Sequence, residues 1–176
     1  NTSFVPGYDF ANNDSHPNDD HGHGTHVAGT LAQSTNNNLG TAGVAFGCSI
    51  MPVKVLNKKG TGTHSDIASG IYFAVDNGAK VINMSLGGPA GSVTLQNAVR
   101  YAYMQGVTVV CAAGNEYMEG NAPSYPAAYD DYCIAVAATR YDRARAYYSN
   151  TGSYVDLAAP GGDTTVDQNG DGYGDG

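Results

Sequence analysis

Four short aliphatic and β-branched runs recur along the chain: MPVKVL (51–56), KVINMSL (80–86), VTVVCAA (107–113) and CIAVAAT (133–139). Between the first three lie two segments of helical period, Ile67, Ile71, Ala74 and Val75 in one and Leu95, Ala98, Val99 and Ala102 in the other. Continuous apolar runs are buried on both faces, and single helices between them demand crossover connections, so the pattern predicts an α/β fold with a mainly parallel sheet flanked by helices. Ser65 and Ser92 are the expected N-caps, and Asn77-Gly78 and Gly106 the expected stops.

In such sheets chemistry collects at the carboxyl ends of the strands. The residues to read there are SLGG after KVINM and GNE after VTVVCAA. A hydrophobic fraction of 41%, a charged fraction of 14% and a mean hydropathy of −0.29 describe one folded globular domain and not a disordered chain. The net charge of −8 is unevenly placed, because eight of the sixteen acids fall in two clusters: Asp9, Asp14, Asp19 and Asp20, then Asp163, Asp167, Asp171 and Asp175. Such clusters repel unless a cation joins them, so bound calcium competes with a solvated acidic surface. Eight scattered Lys and Arg argue against nucleic-acid binding. No run of eighteen apolar residues spans a membrane, and the opening NTSFVPGYDF has no signal-peptide pattern.

Three cysteines without CxxC spacing argue against a zinc ribbon or a thioredoxin-type site. One disulfide with a spare thiol and three buried thiols both fit; Cys111 and Cys133, at the end of one strand and the start of the next, are the candidate pair, and Cys48 reads as a small buried residue.

The segment DDHGHGTHVAGTLA (19–32) crowds three histidines into six residues. As a metal site, His21, His23 and His26 with Asp19 or Asp20 lack a recurrent ligand spacing and the glutamate of HExxH. As dinucleotide loops, GHGTHV and GTGTHS lack the third glycine. What remains is a histidine at the mouth of a small-residue helix, with Gly24 and Gly29 allowing close packing, whose chemical partners come from elsewhere in the chain.

HGTHVAGT (His23 to Thr30) resembles the histidine signature of the subtilisin-like serine proteases, the subtilases, and further segments resemble the family in the same order. VINMSLGG (81–88) is similar to its substrate-binding strand, AAGNE (112–116) to its oxyanion asparagine segment, and DLAAPG (156–161) to the segment leading toward its nucleophile. GYDFANNDSHPNDDHGHGTH (7–26) resembles the acidic loop of the thermitase-like branch.

The resemblance implies a three-layer subtilisin-like fold and a secreted serine endopeptidase acting on protein or peptide substrates. It makes His23 the general base, the role imidazole most often fills in proton transfer, and Asn115 the oxyanion donor. His26 is then a packed, hydrogen-bonded structural residue. Gly60, Thr61 and Gly62, with Ser85, Leu86 and Gly87, would clamp an extended peptide through the backbone. Ala112, Ala113 and Gly114 would line one side of the S1 pocket, with Ser124 near its base, and Leu56, His64 and Ile67 would face S2 and S4. No acid falls at the pocket floor, which implies cleavage after apolar or aromatic residues.

Calcium is implied twice more. Asn37, with Thr35, Leu39 and Thr41 through their carbonyls, matches the family's tight calcium loop, and Asp9, Asn12, Asp14, His16 and Asn18 match the thermitase-like second site. Hard oxygen ligands on loops suit this ion. A third site rests on spacing alone: Asp167, Asn169, Asp171, Gly172, Tyr173 and Asp175 fit positions 1, 3, 5, 6, 7 and 9 of an EF-hand-type loop, making 163–176 a calcium-binding loop against the alternative of a solvated turn.

No GTSMA-type nucleophile segment and no DTG- or DSG-type aspartate segment occurs within residues 1–176. The resemblance places them downstream of DLAAPG and upstream of Asn1, so the expectation is a central piece of a catalytic domain, inactive as an isolated chain, with the remaining segments on other polypeptide. Ser85, Ser149 and Ser153 stand in no nucleophile elbow. The competing readings are a non-catalytic calcium-binding domain of this fold and a metallohydrolase using the histidine cluster.

Overall fold

The computed structural model describes residues 2–175. The chain divides into two compact units, Asn1–Ala79 and Lys80–Gly176.

In the first unit, β1 (Ser3–Phe4) pairs parallel with β3 (Ser49–Ile50), and β2 (Tyr8–Asp9) pairs parallel with β4 (Val53–Lys54). Strands of two residues show no periodicity, which is why the sequence up to Asp20 reads as loop and why MPVKVL contributes only Val53 and Lys54. The register sets Asp9 opposite Lys54. Both side chains are almost buried, and the ammonium lies 3.2 Å from the Asp9 carboxylate and 3.6 Å from that of Asp20.

Two helices complete this unit: α1 (His23–Ala32) and α2 (His64–Asp76). The N-cap of α2 is Thr63, whose hydroxyl accepts from Asp66 N, and not the expected Ser65. Ile67, Ala68, Ile71 and Ala74 form its buried stripe. Gly70 brings the helix directly onto β4, since a β-carbon there would lie 2.5 Å from Val55 Cγ1 and 3.0 Å from Val53 Cγ1. Tyr8, Phe10 and Phe73 pack beside this contact with ring centroids 4.8 to 5.9 Å apart.

The second unit carries a four-stranded parallel sheet of order β5 (Val81–Met84), β6 (Thr108–Ala112), β7 (Ile134–Thr139) and β8 (Leu157–Pro160). Strand β8 lies within DLAAPG, whose small residues carry no strand signal of their own. Helix α3 (Val93–Met104) joins β5 to β6, with Ser92 as the expected N-cap. Leu95, Ala98, Val99 and Ala102 are almost wholly buried, as the period predicts, and the helix packs on β6, whose Val109 and Cys111 are buried too. The alanines at alternating core positions let helix and sheet approach closely.

All three cysteines are free thiols; Cys111 and Cys133 are buried, and Cys48 is exposed, contrary to its expected burial. No helix among the described residues is long and apolar enough to cross a membrane.

Leu95 is 1% exposed at the centre of the second core. Leu95→Ala is expected to cost about 2–5 kcal/mol, the range for a core leucine truncation. The urea midpoint should fall with little change in slope; an unmoved midpoint would contradict this packing.

Candidate active site

His23 is the first residue of α1 and is exposed. The helix begins after Gly22, which at φ 97° takes a left-handed conformation and offers no side-chain cap. Asp19 supplies the missing acceptor. One carboxylate oxygen accepts from the amides of His21 and Gly22, and the other from the amide and hydroxyl of Thr25, all at 2.8–2.9 Å. These amide bonds hold its pKa far below the usual carboxylate range. The acid thereby fixes the loop that presents His21 and His23, whose rings are 6.4 Å apart. Sequence reasoning misses this role, although an acid just ahead of a glycine-opened helix is a visible signal.

Other histidine expectations change. His26 is exposed and not packed. A β-carbon at Gly24 or Gly29 would meet only the side chains of Asp19 or Gln33, each at 3.6 Å, so neither glycine is required by close packing here. Gly60 is required, being left-handed at φ 72°. It lies beside His21, in a turn where Asn57 Oδ1 accepts from Lys59 N, Thr61 N and Thr61 Oγ1. Gly60, Thr61 and Gly62 are exposed, with backbone free of sheet pairing.

In the second unit several expected residues do come together. Ser85, Ala112, Ala113, Gly114 and Asn115 border one hollow of about 370 Å³ at the carboxyl end of the sheet, which Val136–Ala138, Tyr148, Ser149 and Ala159–Gly161 also line. Among the described residues, no charged side chain lines it. Gly87 meets Ser124, since a β-carbon on Gly87 would lie 2.3 Å from Ser124 Oγ, and Gly88 pairs with Tyr125 through two backbone bonds of 2.8 and 3.1 Å. Leu86 and Gly87 do not border the hollow.

Asn115 is exposed on the turn after β6, and the backbone around it is tied down. Ala113 N donates to Val136 O at 2.9 Å, and Tyr154 Oη donates to Ala113 O at 2.9 Å. Asn150 N donates to Gly114 O at 3.0 Å, and Asn115 N donates to Glu116 Oε2 at 2.8 Å. Sequence reasoning misses Glu116, Asn150 and Tyr154, because nothing in the order of residues links 148–154 to this turn. Ser149 is buried with its hydroxyl accepting from Ala138 N at 2.8 Å, so it serves the backbone and not chemistry.

The cation sites fare unequally. Thr35, Asn37, Leu39 and Thr41 all line one hollow of about 130 Å³ within the 34–42 loop. Among the described residues no three His, Cys, Asp or Glu side chains converge on a point that could hold a metal ion. His21, His23 and His26 are thus not brought together in such a group. At the second site, Asp9 is turned to Asn12 and Lys54, Asp14 Oδ1 accepts from His16 N, and His16 and Asn18 are exposed. The terminal loop wraps around its own acids: Asp167 accepts from Gly170 and Gly172, Asn169 from Asp171 N, Asp171 from Tyr173 N, and Asp175 from Gln168 N and Asn169 Nδ2. Among the described residues, neither set brings three acids together.

The model of the subtilase family matches residues 1–175, and the chain belongs to that family. It is 51% identical to thermitase of Thermoactinomyces vulgaris over 158 residues, covering 89% of this chain and 55% of that protein. It is 48% identical to subtilisin DY of Bacillus licheniformis over 159 residues, covering 89% and 57%. A solved structure described as a cold-adapted subtilisin-like serine proteinase superposes with a TM-score of 0.79 at 40% identity, covering 92% of this chain and 56% of that one. The chain thus spans little more than half the length of these relatives.

Because the folded-state pKa of Asp19 is depressed, its bonds stabilise the fold fully above the ordinary carboxylate value near 3.9, and that contribution is lost as pH falls through the depressed value. Asp19→Ala is expected to lower stability near neutral pH by about 1 kcal/mol, the capping range for an exposed acid, and to flatten the decline at acid pH. Urea midpoints measured across the acid range check both; coincident curves for variant and parent would refute the capping role.

Proposed function

We propose that the whole protein is a secreted serine endopeptidase and that residues 1–176 carry its general base and one oxyanion donor. The observation that carries this reading is Asn115, exposed at the carboxyl end of β6 on a turn whose backbone is bonded on both sides. A donor that does not reorganise is what stabilises charge developing on a scissile carbonyl oxygen.

In this mechanism His23 takes the proton from a serine hydroxyl as that oxygen attacks the peptide carbonyl, and returns it to the leaving amine. Asn115 Nδ2 donates to the oxyanion of the tetrahedral intermediate. Ser85, Leu86 and Gly87, with Gly60, Thr61 and Gly62, hold the substrate by backbone pairing, which grips an extended chain without demanding a sequence. Among the described residues, the hollow beside Ala112–Asn115 bears no charged side chain, which supports a preference for apolar or aromatic residues before the scissile bond. No serine in residues 1–176 stands in a nucleophile elbow, so the attacking hydroxyl comes from elsewhere in the whole protein.

Asn115→Ala in the whole protein is expected to cut kcat by about 10²–10³, the magnitude already established for loss of this kind of donor in subtilisin and carried over to this relative. Phenylmethylsulfonyl fluoride should abolish the activity. A polypeptide of residues 1–176 alone should show no hydrolysis sensitive to this reagent. An Asn115→Ala enzyme as fast as its parent, or a parent inhibited only by zinc chelation, would overturn the reading.

For calcium, the 34–42 loop is the site we propose, through Asn37 Oδ1 and the carbonyls of Thr35, Leu39 and Thr41. These residues border a common hollow, and the atoms named are all oxygens, the donor class this ion takes. Calcium there would join the two limbs of the loop. Chelation is expected to lower the melting temperature of the parent and to leave that of Asn37→Ala unmoved; equal losses in both would place the ion elsewhere.

A further inference from the structure

The turn that presents Asn115 rests on one side chain the mechanism has not used. Asn150 is fully buried. Its Nδ2 donates to Glu116 Oε2 at 3.1 Å and to Ala122 O at 3.2 Å, and the same Glu116 oxygen accepts from Asn115 N at 2.8 Å. Both partners of Nδ2 are acceptors, so the reversed amide would set oxygen against oxygen and the orientation is fixed. Gly114, left-handed at φ 113°, passes directly over this amide: a β-carbon there would lie 2.3 Å from Asn150 Nδ2 and 2.7 Å from Glu116 Oε2.

The arrangement carries a cost. Asn150 Oδ1 is buried without a hydrogen-bond partner among the described residues. Leaving such an acceptor unmade is destabilising, and an apolar side chain filling the same space would avoid the penalty. What the residue provides in return is directed at the turn: its backbone N–H holds Gly114 O, and its side chain holds the carboxylate that in turn holds Asn115 N.

We infer that Asn150 is a positioning residue for the oxyanion site, fixing the backbone of Asn115 through the Glu116 carboxylate. The inference rests on the proposed role of Asn115 as oxyanion donor. Asn150 and Glu116 contribute no atom to the reaction; they set where the Asn115 amide stands when charge develops. Misplacement of such a group by about an ångström is enough to cost up to about 10²-fold in rate. The effect should appear in kcat, because the oxyanion exists only in the transition state.

The test uses the whole protein, with concentrations normalised by active-site titration and a peptide anilide as substrate. Asn150→Ala and Glu116→Ala are each expected to lower kcat about tenfold or more with KM changed by no more than about twofold. Glu116→Gln keeps an acceptor oxygen and should recover most of what Glu116→Ala loses. In an Asn115→Ala background, Asn150→Ala should cause no further loss, since it acts through the residue already removed.

Losses that multiply in the double variant, or single variants that keep parental kcat while Asn115→Ala loses about 10²–10³, would overturn the inference and leave the oxyanion reading intact. An unchanged kcat in Asn115→Ala would remove that reading and this inference with it. Should Asn150→Ala fail to fold, the exposed Glu116 and its Gln rescue decide the matter.

Discussion

The parallel pairing of β5 to β8 is the constraint from which the candidate chemistry of the second unit follows. Parallel strands end on one edge, and the backbone leaving that edge carries amides and carbonyls that need partners away from the ladder. At β6 those partners are Val136 O, the hydroxyl of Tyr154, the amide of Asn150 and the carboxylate of Glu116. Satisfying the backbone and immobilising Asn115 are therefore one event. The exposed amide stands on a turn whose Ala113 N, Ala113 O, Gly114 O and Asn115 N are already bonded.

The first unit solves a different problem with an acid. A helix opened by glycine leaves its first amides without a side-chain cap, and an exposed histidine at that position would otherwise sit on a fraying end. Asp19 closes the turn with four bonds, and Lys54, fixed opposite Asp9 by the β2–β4 register, reaches Asp20 in the next position of the same loop. Acids that look like a cation cluster in the sequence are thus divided among a helix terminus, a buried lysine and local turns. Charge density alone does not distinguish these fates, because Lys54 lies in a later segment and joins the loop only through strand pairing.

How far the sequence can be read depends on whether a signal is periodic or topological. Leu95, Ala98, Val99 and Ala102 announce both a helix and its buried stripe, and Ser92 announces its start. Two-residue strands and the alanine-rich β8 announce nothing, since a pairing that short is made by its neighbour. Asn115 is legible because it follows a strong apolar strand within a family-like segment, whereas Asn150 lies in a Tyr- and Gly-rich loop and acquires its role only by folding back on Gly114. Cys48 and His26 depart from expectation for one reason: residue type predicts average burial, and both stand exposed.

His23, and no other histidine, is the proposed base of a serine protease. This role is tested most directly by treating the whole protein with a peptidyl chloromethyl ketone and mapping the alkylated peptide by mass spectrometry. The reagent is delivered as a substrate and alkylates the imidazole that faces the scissile position. The account predicts a single adduct on His23, formed in step with loss of activity and blocked by prior reaction with phenylmethylsulfonyl fluoride. An adduct on His16, His21, His26 or His64, or inactivation with His23 unmodified, would contradict it.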